Sequence, residues 1–193
     1  SPFIFIVESG IKEPLLKKEL EIISCKIDVK VKLNMENRFE PIPIFAPKYQ
    51  PLPNSEIYKE HLLSQSKRLI IGVSGLTIFL IDDKSLLLQI TTSLAAEFGT
   101  RVIYQQFNPT ANGIVCCSSA WWIINHQQLP PPEQLIIGLL PIASLSSPLT
   151  KSRVEALKRQ GHDWFRELLL PEAISVLAKS VIPLRSSSSS SRL

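Results

Sequence analysis

The chain has 193 residues, 45% of them hydrophobic, which is enough to bury the core of one domain and too apolar for a disordered segment. Its longest apolar runs, such as Leu135 to Ile142, fall far short of the roughly 20 residues of a membrane helix, so no membrane partner is expected. A net charge of +4, with basic residues spread along the chain, permits a polyanionic partner without demanding one.

Ser1 to Val7 is apolar, but no basic segment precedes it and no small-residue cleavage site follows, so a secretory signal is not expected. The chain starts without Met on a strand-like run, as a domain cut from a longer protein would. Three cysteines, Cys25, Cys116 and Cys117, show no Cys-x-x-Cys spacing and give no disulfide framework. Cys116 and Cys117 sit inside an apolar run and read as small core residues. A reducing, cytoplasmic location fits.

In chain order, Phe3 to Val7 predicts a buried strand, and Pro14 to Ile23 a short amphipathic helix opened by proline. Val29, Val31 and Leu33 alternate with lysines as a half-buried strand does. Ile42 to Phe45, interrupted by Pro41 and Pro43, is an edge strand at best. A proline-rich loop, Pro47 to Pro53, leads to a helix capped by Asn54 and broken by Gly72 to Gly75. Thr77 to Ile81 is a buried strand closed by Asp82-Asp83. The next helix carries apolar positions 87, 90, 94 and 98 on one side and stops at Gly99.

Arg101 to Gln106 and Ile114 to Cys117 predict two more strands, Ser119 to His126 a helix, and Leu135 to Leu140 the most apolar strand. Ser152 with Glu155 forms a capping box for a helix ending near Gly161. Pro171-Glu172 opens the last helix and Pro183 stops it. Strands that are apolar on both faces and alternate with helices predict an α/β domain of three layers, a mainly parallel sheet with helices on both faces. It spans residues 1–185 and is followed by a disordered polyserine tail, 186–193.

Catalytic machinery is sparse. Residues 102–150 contain one charged residue, Glu133, so no acid/base pair arises there. His61, His126 and His162 lie far apart in sequence, without a metal-ligand spacing. Asp82-Asp83 ahead of a helix reads as a cap or as a metal-binding pair. No phosphate loop, nucleophile elbow or dinucleotide-binding glycine pattern occurs.

Several segments nevertheless carry a resemblance. They are Phe45 to Val102, Gly113 to Trp121, Leu135 to Leu149, and above all Asp163-Trp164-Phe165-Arg166 followed by Leu170-Pro171-Glu172-Ala173. Their order resembles the second, RecA-like motor domain of DinG/XPD-like superfamily 2 ATP-dependent DNA helicases of the cyanobacterial type. The resemblance implies a domain that binds single-stranded DNA and closes on an N-terminal ATP-binding helicase domain. ATP and Mg2+ would be held mainly by that other domain.

Two family motifs are altered. Ser-Phe-Trp-Glu-Gly is matched by Ser119-Ala120-Trp121-Trp122-Ile123. The arginine-bearing Gln-x-x-Gly-Arg-x-x-Arg is matched by Ala178, Val181, Ile182 and Arg185, which keeps only the last arginine. No ATP hydrolysis is therefore expected of this chain alone. The candidates for contact with the DNA backbone are Ser119, Lys158, Arg159, Arg166 and Arg185, with Arg185 alternatively facing the nucleotide cleft; Arg153, Lys158, Arg159, Arg166 and Arg185 read equally as a solvated helix face. Trp121, Trp122 and Trp164 read either as base-stacking rings or as packed core aromatics. A non-catalytic, helicase-like interaction scaffold is the competing reading, and a small-molecule α/β enzyme a third.

Overall fold

The structure is a computed structural model that describes residues 44–48, 51–52 and 56–186, with side chains through Leu184. These residues fall within one compact unit that begins at Ile42. The elements expected over Phe3–Val7, Pro14–Ile23 and Val29–Leu33, the Asn54 cap and the polyserine tail lie outside the described residues. Ile44 and Phe45 are described, and they are exposed and not in a strand.

The architecture is a three-layer α/β domain. Helix α1 (Glu56–Ile71) precedes strand β1 (Thr77–Leu80), helix α2 (Lys84–Phe98), strand β2 (Val102–Tyr104) and strand β3 (Ile114–Cys117). Helix α3 (Ser119–Asn125), strand β4 (Gln134–Ile137), helix α4 (Pro148–Arg159) and helix α5 (Leu170–Ser186) follow. All strand pairs are parallel, in the order β2-β3-β1-β4. Thr77 stands between Ile114 and Gln134, which fixes the register across β3, β1 and β4. No helix among the described residues is long and apolar enough to cross a membrane.

Alternation along the strands builds two cores. Phe79, Ile81, Ile114, Cys116 and Ile136 face α1 and α2, where they meet Leu62, Ile70, Leu87, Ile90 and Leu94. Ile78, Leu80, Val115, Cys117 and Leu135 face the other way, onto Trp122 of α3 and Val181 and Leu184 of α5. Burial of each such large side chain contributes about 1.5–3 kcal/mol. A small third cluster, Val154, Leu168 and Leu169 with Trp164 against it, holds α4 to the start of α5.

Polar groups join the layers. The buried Gln134 amide donates to Thr77 Oγ1 at 2.8 Å and to the Leu69 carbonyl at 3.3 Å, tying the sheet to the end of α1. The Tyr58 hydroxyl donates to the Gly138 carbonyl just past β4. Gly138 must be glycine for space: a Cβ there would lie 2.7 Å from Ile81 Cγ1 and 3.3 Å from Leu62 Cδ2.

Three helix boundaries differ from expectation. Helix α4 begins at Pro148, a full turn before Ser152. Proline suits the first helical position, where its missing N–H would be unsatisfied anyway. Ser152 is therefore interior, and its hydroxyl donates back to the Pro148 carbonyl at 2.9 Å instead of capping. Pro183 lies inside α5, which continues to Ser186. Only the final turn follows it, so few helical bonds are placed at risk. Nor does Pro171 open this helix, since a π-helical turn, Phe165–Leu169, runs straight into Leu170. The β2 strand is also shorter than Arg101 to Gln106, because Gln105 adopts φ 45° and leaves the extended region.

Gly138→Ala forces the two layers apart and is expected to lower stability by about 1–3 kcal/mol, read from the denaturant midpoint. Burial also pushes the Cys116 thiol from 9.0 up to about 11, against a smaller lowering by Thr91. Cys117 moves upward as well, by burial first and then by the charges of Cys116 and Asp82. The folded state thus keeps these protons longer than the unfolded chain does. Stability is full below about pH 9 and falls as pH rises toward about 11. Denaturation midpoints across that interval should decline, and Cys116→Ala should flatten the decline. At neutral pH, peptide mass spectrometry should find both thiols unlabelled by a maleimide until denaturant is added.

Candidate functional site at the carboxyl edge of the sheet

The chain leaving β1 turns to α2 on one face, and the chain leaving β3 turns to α3 on the other. Neighbouring strands whose connections diverge open a crevice at their carboxyl ends, the usual ligand position in open α/β sheets. Asp82, Asp83 and Ser119 stand at that point. They line a cleft of about 700 Å³ whose remaining wall comes from α3, Leu139 to Ser144 and Val176.

Both carboxylates serve the helices. Asp83 caps α2 by accepting from Leu86 N–H at 2.7 Å. Asp82 accepts from Ser119 N–H at 2.8 Å, which fixes the amino end of α3 to the end of β1. Ser118 Oγ accepts from Trp121 N–H at 3.2 Å. Of the two sequence readings of Asp82-Asp83, the cap describes the geometry. Among the described residues, no group of three or more His, Cys, Asp or Glu is placed to hold a metal ion.

The cleft lining is otherwise apolar, with Ile123, Ile124, Leu140, Pro141 and Ile142, and includes no Lys, Arg or His. These walls do not fit ATP with Mg2+. Both carboxylates already accept backbone N–H groups, and the lining holds no Lys or Arg to bind the phosphates. Nor do they fit nucleophilic catalysis, because Ser119 has no imidazole or amine in the lining to take its proton.

The expected site residues divide into two groups. Ser119 is in the cleft wall, only 4% exposed. Lys158, Arg159 and Arg166 are exposed around the corner between α4 and α5. There the Lys158 ammonium lies 4.9 Å from the Trp164 ring centroid. Arg166 pairs with Asp163 at 3.6 Å, and His162 with Glu167 at 2.9 Å. Arg159, the last residue of α4, has no ion-pair partner among the described residues. Arg185 belongs to the last turn of α5, and its side chain lies outside the described residues.

The three tryptophans also separate. Trp164 is half-buried at the corner and Trp121 half-buried beside the edge. Trp122 is wholly enclosed, 0% exposed, and its indole N–H donates to the Ser180 carbonyl at 2.8 Å. That bond joins α3 to α5. Sequence reasoning left Trp122 open between stacking and core, and it is core. Phe107 was missed because it stands alone in a polar loop, yet its ring meets Trp121 with centroids 5.5 Å apart.

No protein-family model, curated protein or solved structure matches the chain.

Trp122→Phe removes the indole donor, leaves the Ser180 carbonyl without it, and opens space between α3 and α5. Its expected cost is on the order of 2 kcal/mol by chemical denaturation.

Proposed function

We propose that this chain is the second motor domain of a DinG/XPD-like DNA helicase, binding single-stranded DNA and closing against an ATP-binding partner domain. On its own it hydrolyses no ATP. The observation that carries this reading is the contact between Trp122 and the Ser180–Leu184 turn of α5. The resemblance assigns the two altered family motifs to these segments. They lie side by side against one face of a parallel sheet, as two parts of one motor edge would.

The same contact explains why chemistry is lacking. Trp122 takes the position the resemblance gives to glutamate, and Val181 the position of a motif glycine. Both belong to the core. What remains suited to a polyanion is the corner, where Pro148 to Glu172 carry five Lys or Arg against four Asp or Glu and Arg159 has no ion-pair partner among the described residues. Exposed lysines and arginines there would follow phosphates without reading sequence.

The test is affinity for a labelled oligothymidine across a salt series. The logarithm of the association constant should fall linearly with the logarithm of salt, by about 0.7 for each phosphate contacted. Replacing Lys158 and Arg159 together by alanine should shallow that slope by about 1.4. If the chain does not bind at low salt, the motor-domain reading is wrong and the non-catalytic scaffold replaces it.

A further inference from the structure

The loop from Gln105 to Gly113 joins two adjacent parallel strands without a helix. Parallel neighbours require a return to the far end of the sheet, so this short crossover must turn sharply. It does so with Gln105 at φ 45° and Asn108 at φ 63°, on either side of Phe107. The Gln105 carboxamide donates to Ser118 Oγ at 3.4 Å, which holds the loop to the cap of α3. Phe107 is thereby set beside the carboxyl edge, next to the turn that carries Ser119.

Its ring rests on Trp121, with the two planes 35° from parallel. Trp121 packs against the second core cluster, so the support beneath Phe107 is anchored in the fold. Phe107 itself is 37% exposed. The flanking chain is nearly uncharged, since residues 102–150 include only Glu133, and the charge held at the neighbouring Ser119 turn is the carboxylate of Asp82. The feature is a held aromatic pair with open ring area and no basic group beside it in the chain. That chemistry suits a flat neutral π-system better than a phosphate. A nucleobase stacks on aromatic side chains whatever its identity. Prior anchoring also reduces the freedom the ring loses on binding.

We infer that Phe107, backed by Trp121, is a stacking platform for one base of a single strand. It is a second contact, distinct from the phosphate-following corner of Lys158 and Arg159. The inference rests on the DNA-binding reading above, and the two fail in different ways.

The experiment measures anisotropy of a labelled oligothymidine with wild type, Phe107→Ala and Phe107→Trp over the same salt series. An abasic oligonucleotide of equal length serves as the comparison ligand. Stacking carries no counterion release, so Phe107→Ala should weaken binding about tenfold at every salt concentration and leave the salt slope unchanged. Phe107→Trp should retain wild-type affinity, and wild type should lose about tenfold on the abasic strand.

If Phe107→Ala binds as wild type does, with the steep slope kept, the platform is refuted and the DNA-binding reading stands. If wild type binds neither strand at low salt, that reading falls and takes the platform with it. Should Phe107→Ala not fold, the abasic strand decides with wild type alone: equal affinity for both strands overturns the platform.

Discussion

Strand β1 is buried on both faces and bonded on both edges, and that constraint organises everything around it. Ile78 and Leu80 require cover on one side, Phe79 and Ile81 on the other. A single helical layer would leave half of them in water, at about 1.5–3 kcal/mol for each large side chain. Two layers are therefore obligatory. The chain reaches both only if the connections after β1 and β3 part company. The crevice at the carboxyl edge is thus a geometric consequence of the packing, present whether or not anything binds there.

What fills the edge is decided by side chains, and here Trp122 and the end of α5 act together. Trp122 on α3 reaches across to the Ser180 carbonyl, while Val181 and Leu184 complete the same cluster. A glutamate at position 122 would place a charge among Leu80, Val115 and Leu135, a cost of several kcal/mol without a paired cation. Val181 and Leu184 on α5 supply the apolar surroundings that the indole ring requires, and the contact makes the core continuous between α3 and α5.

The sheet was legible because its strands are short apolar runs punctuated by Asp82-Asp83 after β1, Gly99 before β2 and Gly113 before β3. The α2 stripe was legible because Leu87, Ile90, Leu94 and Phe98 recur at helical spacing, and Gly99 ends the helix at φ 58°. Helix α4 was misjudged because Ser152 and Glu155 mimic a cap, while Ser147-Pro148 supplied an earlier start. Pro183 misled because proline's cost depends on how much helix follows it, which local sequence does not reveal. The cleft was only half visible. Asp82 and Ser119 stood out, but their hydrogen bond spans 37 positions and depends on strand order. Phe107 gave no periodic signal at all, since its partner Trp121 is brought near by the crossover between β2 and β3.

The distribution of charge then bears on how a single strand would lie on this surface. Exposed Lys158 and Arg159 stand at the corner formed by α4 and the start of α5, and the carboxyl edge offers two carboxylates, apolar walls and an aromatic pair. One groove with uniform chemistry would hold phosphates and bases in the same place. This arrangement separates them, because phosphates are repelled where Asp82 and Asp83 stand and attracted where Lys158 and Arg159 stand. A strand engaging both regions would present its backbone to one and its base faces to the other. Backbone attraction weakens with salt and base stacking does not, so the two regions would dominate binding under different ionic conditions. On the proposed reading, such a domain would hold a polyanion without reading its sequence, while its apolar edge offers no cationic side chain to a nucleotide.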